Sequence, residues 1–219
     1  MNHDRVDFRF IEIFHELYAL EDYMNSVEAQ LPELIANEKK KAHDSKPNDP
    51  IEWQQKEQEL YELIEDVLPR FFRNPIVVTL WAVFESAIIE IAKEIKDQLA
   101  APITLDDING DFLKRTNQYF NYIVEFPIDV RGRFWQQLRK LHLLRNAIAH
   151  GNGRLDNIKN PQDRKTIFKW EKEGSGISTA GGNIVCSPPF ISETFKVVFD
   201  FLQDVTERVK AKFPEPKNW

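Results

Sequence analysis

Phe134-Trp135-Gln136-Gln137-Leu138-Arg139-Lys140-Leu141-His142-Leu143-Leu144-Arg145-Asn146-Ala147-Ile148-Ala149-His150-Gly151 is the stretch on which the fold turns. Set on a helix at about 100° per residue with Phe134 at zero, Leu138, Leu141, Ile148 and Ala149 fall at about 40°, 340°, 320° and 60°. This apolar stripe predicts an amphipathic helix over roughly 130–150, with Gly151 as its C-terminal cap. Arg145 falls at about 20°, in the middle of the stripe. A guanidinium there is costly unless it is paired or faces a cleft.

The same periodicity extends in both directions. Phe10, Ile13, Phe14, Leu17, Leu20 and Met24 recur at spacings of three and four, and Val27, Leu31, Leu34 and Ile35 carry the pattern past Pro32. Pro32 is expected to kink or restart that helix. Residues 38–50 read as a solvated helix end and a loop. A second helix is expected over roughly 51–68, folding back on the first as a hairpin. Pro69 and Pro75 are expected to bracket a turn before a third, strongly apolar helix over roughly 76–99. Thr104 followed by Asp106 and Asp107 reads as a helix cap. Further helices are expected near 111–125 and from Pro161 to about 172. Residues 174–186 read as two short strands about Gly181-Gly182. A last amphipathic helix uses Phe195, Val198, Phe199, Leu202, Val205 and Val209.

The expected fold class is therefore all-α, a helical bundle with a small β-hairpin before the last helix. The expected organisation is one domain over 1–219: a helical hairpin extension at 1–70, a core at 71–212 and a loose tail at 213–219.

Composition bounds the function classes. The chain has 219 residues, with 29 Lys and Arg against 35 Asp and Glu, a net charge of −6. A globally basic, tail-like nucleic-acid binder is excluded. Hydrophobic residues make up 42%, with 16 Phe and 5 Trp, which excludes disorder over most of the length. The single cysteine, Cys186, excludes an intrachain disulfide and a cysteine zinc cage, and is expected to be a buried small hydrophobe. Residues 1–7 lack the apolar core of a signal peptide, and no unbroken apolar run reaches the roughly 18 residues of a membrane span. A cytoplasmic protein with no membrane partner is the expectation. Phosphate-loop, dinucleotide-binding, serine-elbow and zinc-protease signatures are absent. His3, His15, His43, His142 and His150 form no i, i+4 pair with one another and no obvious metal-ligand arrangement. No cofactor or metal is expected.

A second misplaced charge lies on the apolar helix. With Val77 at zero, Trp81, Phe84, Ile88, Ile91 and Ile95 cluster between about 320° and 40°. Val78, Ala82 and Ile89 widen the arc, and Glu85 falls inside it at about 80°. Opposite signs predict that Glu85 and Arg145 approach each other, either as a structural ion pair or as catalytic groups. Asn146 shares a helical stripe with His150, four residues on. Arg145 and His150 lie about 140° apart. They converge only through the reach of Arg145, or across a dimer axis. From Arg131 to Lys172 there are eleven Lys and Arg against three acids, a net of +8 that leaves −14 for the rest of the chain. Such a concentration suits a phosphate-bearing partner. Arg139, Lys140, Arg154 and Lys159 are the candidate contacts to such a partner. Trp135, Tyr119, Tyr122 and Trp170 are candidates for base stacking, with core packing the expected fate of most.

Arg145-Asn146-Ala147-Ile148-Ala149-His150 resembles the arginine–polar–x–x–x–histidine motif of HEPN domains, which are all-α domains widespread in bacterial toxin–antitoxin, phage-defence and CRISPR-linked proteins. The helix with Leu80-Trp81-Ala82-Val83-Phe84-Glu85-Ser86-Ala87 resembles the glutamate-bearing helix of several such families. The resemblance covers roughly residues 70–210. It implies a HEPN-like bundle, and a metal-independent endoribonuclease whose two motifs meet at a homodimer interface. Carried over, His150 acts as general base or acid, and Arg145 stabilises charge in the transition state. Asn146 orients His150 or the phosphate, and Glu85 positions Arg145. A toxin or phage-defence effector follows, with an antitoxin or nucleotidyltransferase as possible partner. The alternatives are a non-catalytic module that binds nucleotides, RNA or proteins, and a helical domain whose motif is accidental.

Overall fold

The computed structural model describes residues 7–214. Helix α1 spans Ile11–Asp44 and buries Ile13, Leu17, Leu20, Met24, Val27 and Leu31 along one stripe. It runs through Pro32 as one helix, so the expected restart does not occur. The Pro32 ring lies on the exposed side, where the lost backbone hydrogen bond is borne next to solvent.

Helix α2 spans Pro50–Glu62 and starts cleanly. The Asp49 carboxylate accepts from the Ile51 N–H at 2.9 Å, and Pro50 takes the first turn, where no N–H is needed. A π turn over Leu63–Val67 joins α2 to helix α3, Leu68–Leu99. The three make one continuous helix. The expected turn between Pro69 and Pro75 is therefore corrected. In the π turn the Leu68 N–H reaches back to the Leu63 carbonyl, so the ordinary ladder is already offset where Pro69 supplies no donor. The expected fold-back on α1 is present. Arg73 grips Glu28 at 2.7 and 2.9 Å, and Lys56 donates to the Ser45 carbonyl at 2.8 Å.

Helix α4, Phe112–Gln118, begins at Asp111 and ends in a π turn over Tyr119–Ile123. Helix α5 is Arg133–Gly151 and helix α6 is Pro161–Lys172. Strands β1, Ile177–Ser178, and β2, Val185–Cys186, pair antiparallel, with Ile177 opposite Cys186. Helix α7, Pro188–Lys212, follows. The fold is all-α with a small β-hairpin before the last helix.

The chain divides into two compact units. The first takes the residues up to Ala19, Leu80–Lys140 and those from Phe195 onward. Its core is aromatic. Phe84 meets Trp81, Phe112 and Phe201 at ring-centroid distances of 5.4, 6.2 and 6.0 Å, and Trp135 meets Phe201 at 6.2 Å. The second unit takes Leu20–Thr79 and Leu141–Thr194. Its core includes Ile76, Val77, Leu141, Leu144, Ile167, Ile184 and Cys186. Residues 215–219 of the expected tail lie outside the described residues. The continuous helix Pro50–Leu99 contains 18 residues of mean hydropathy 1.8, long and apolar enough to cross a membrane, and half of that window is buried. Charges such as Glu85 interrupt an unbroken run but barely lower a mean.

Candidate active site

Helix α5 places the motif in the second unit. The helix buries Trp135, Leu138, Leu141, Leu144, Ala147 and Ile148, whereas Phe134 and Ala149 are exposed. The buried arc therefore winds past the predicted stripe, and Arg145 stands at its margin, half-buried. Beyond Arg145 around the helix lie His142 and Asn146, both half-buried, and then the exposed His150.

Arg145, Asn146 and His142 form a directed chain of hydrogen bonds. Arg145 Nη1 donates to Asn146 Oδ1 at 2.9 Å. Asn146 Nδ2 lies 3.1 Å from His142 Nε2. A guanidinium only donates, so the Asn146 oxygen must face it. The amide nitrogen then donates to His142, whose Nε2 is an acceptor and whose ring proton sits on Nδ1. Arg145 Nε is buried with no hydrogen-bond partner among the described residues. No carboxylate pairs with this guanidinium there. A cation held by one neutral amide keeps most of its charge for a ligand.

Glu85 sits in the first unit, between the exposed Ala82 and Ile89, so it too stands at the margin of its buried arc. Its Oε2 accepts from Trp81 Nε1 at 2.8 Å. Glu85 and Arg145 thus each find a hydrogen bond within their own helix.

The turn behind His150 is heavily braced. Gly151, expected as the left-handed cap, is the last helical residue instead. The left-handed positions are Asn152, φ 51°, and Gly153, φ 72°. The Gly153 N–H returns to the Ala147 carbonyl at 3.2 Å, and the Gly153 carbonyl accepts from the Ile184 N–H at 2.8 Å. Gly151 packs tightly, and a Cβ there would stand 3.1 Å from Asn157 Cβ. Arg154 bridges to Asn183. Asn183 in turn accepts from Arg70 Nη1 at 2.6 Å and donates to Asp66 at 2.9 Å. The β-hairpin thereby fastens the end of α5 to the start of α3.

The remaining predicted residues scatter. Arg139, exposed, and Lys140, half-buried, belong to the first unit. Arg154 and Lys159, both exposed, follow the motif in the second. Trp135 and Tyr119 are core residues, Tyr122 is exposed, and Trp170 is half-buried. Cys186 is fully buried, and burial pushes its thiol up to about 12. His142 is the member of the site that sequence reasoning missed, although its i, i+4 spacing from Asn146 was a usable signal. No family model, curated protein or solved structure matches the chain.

Proposed function

We propose that this chain is a metal-independent endoribonuclease of the HEPN type, acting as a homodimer. The observation that carries the reading is Arg145, which no carboxylate pairs among the described residues and which Asn146 and His142 orient, on the helix that also carries the solvent-exposed His150. The ribose 2′-oxygen attacks the adjacent phosphorus while the bond from phosphorus to the 5′-oxygen breaks. A base removes the 2′-hydroxyl proton, and an acid delivers a proton to the departing 5′-oxygen. His150 supplies one of these roles, and the motif of a second copy supplies the other. Arg145 neutralises charge building on the non-bridging oxygens. The products are a 2′,3′-cyclic phosphate and a 5′-hydroxyl.

The test is cleavage of total RNA in excess EDTA by the full chain, freed of any bound inhibitor and shown to be dimeric. Wild type should leave cyclic phosphate ends, whereas Arg145→Ala and His150→Ala should lose about 100-fold or more in rate. RNA binding without cleavage would replace this reading with a non-catalytic RNA-binding module.

A further inference from the structure

Helix α6 separates its residues with unusual clarity. Ile167 is buried, and Glu171 accepts from the Thr179 N–H at 2.7 Å and from its hydroxyl, which fixes one face against the start of β1. With Lys165 at zero, Phe168, Lys172 and Lys169 fall at about 300°, 340° and 40°. All four are exposed. The outward face thus carries three ammonium groups along one side of a phenyl ring that is 42% exposed. Among the described residues its one carboxylate contact is Glu173, 3.6 Å from Lys169, with both side chains more than half in solvent. Such a pair adds little and leaves the lysine available. Ile167 fills the buried face of α6, whereas Phe168 leaves a large part of its ring in solvent next to the lysines.

From this arrangement we infer that the outward face of α6 is a binding platform for single-stranded RNA, with Lys165, Lys169 and Lys172 on phosphates and Phe168 stacked on an unpaired base. The choice of RNA as ligand rests on the ribonuclease reading, and α6 lies in the same compact unit as Arg145 and His150. Paired bases hide their faces inside a duplex, so an exposed ring selects unpaired ones. A helix lying in a membrane surface turns a whole apolar face outward, whereas α6 turns out one aromatic among lysines.

The two kinds of contact separate by salt. Binding of a fluorescein-labelled 12-nucleotide oligouridine is followed by anisotropy at several salt concentrations, on a His150→Ala background that holds the probe intact. Substituting Lys165, Lys169 and Lys172 by Gln should flatten the slope of log affinity against log salt by about 2, at roughly 0.7 per charge. Phe168→Ala should weaken binding about 5- to 100-fold and leave the slope unchanged. Unchanged affinity and slope in both variants would overturn the inference. So would equal binding of the annealed duplex, or preference for phosphatidylserine vesicles. The substituted residues are exposed, so an unchanged melting temperature verifies the fold. Wild-type cleavage is scored separately. Binding through α6 with no cleavage keeps this inference and removes the enzyme. Cleavage indifferent to α6 does the reverse.

Discussion

Arg145 can only donate, and that asymmetry orders the site. It sets the amide of Asn146, which sets the tautomer of His142. Within the proposed activity, His142 is a positioning residue that acts through Asn146 on Arg145. Glutamine at 142 offers an acceptor near the same place, whereas alanine offers none. His142→Ala should therefore lower kcat about tenfold, the worth of one hydrogen bond, with KM little changed. His142→Gln should restore most of the rate. Equal rates for the two variants would remove the positioning role. At the same scale, Cys186 should be inert. Its thiol, fully buried and pushed up to about 12, presents almost no thiolate at neutral pH. A thiol reagent should label it only as fast as the protein opens, and rapid labelling under native conditions would contradict that burial.

Elements depend on a few backbone positions. Gly153 and Gly182 both hold positive φ, 72° and 76°. A Cβ on Gly182 meets nothing within 4 Å, whereas one on Gly153 would stand 3.1 Å from Asn74 Nδ2. Gly182→Ala should cost about 1 kcal/mol for the left-handed conformation alone. Gly153→Ala adds crowding against the buried Asn74, and should lower the melting temperature several degrees further. Equal losses by calorimetry would mean that the turn behind His150 yields easily. The helices themselves were legible in the sequence wherever one face was buried, because a periodicity of three and four residues is local. The prolines were misread because a ring inside a helix is tolerated when neighbouring turns absorb it, as the π turn does ahead of Pro69.

Across the molecule, Arg9 ties three distant parts of the first unit together. It pairs with Asp7 at 2.6 Å and Glu94 at 2.8 Å, and donates to the Phe213 carbonyl at 2.7 Å. The hydrogen bond from Arg9 holds the Asp7 carboxyl below its usual 3.8. A depressed carboxyl stabilises the fold above its unfolded value, and that contribution fades as pH falls through the folded one. Arg9→Met should cost about 3 kcal/mol at pH 7, with the gap narrowing below pH ~4. Glu90 has the opposite sign. Partial burial and then Glu16 and Glu12 raise its carboxyl above 4.5. Glu90→Gln should therefore stabilise the protein at pH 7, and the gain should vanish once acid protonates the native carboxyl. Urea titrations of both variants at pH 7 and at about pH 3 check these opposed signs.

The sequence by itself determined the all-α class, the helix starts near residues 51 and 111 and at Pro161, the Gly-Gly hairpin and the candidate motif. Each depends on contacts within a few residues of chain, where propensity, capping and turn chemistry act. Only the tertiary structure decided which parts of each helix are covered. It moved Arg145 from the middle of an apolar stripe, and Glu85 from within one, to the margin, left Phe134 and Ala149 in solvent, and turned the lysines of α6 outward beside Phe168. Burial is set by neighbours distant in sequence, and helical periodicity cannot locate the edge of what they cover. That edge is where Arg145, Asn146 and His142 meet.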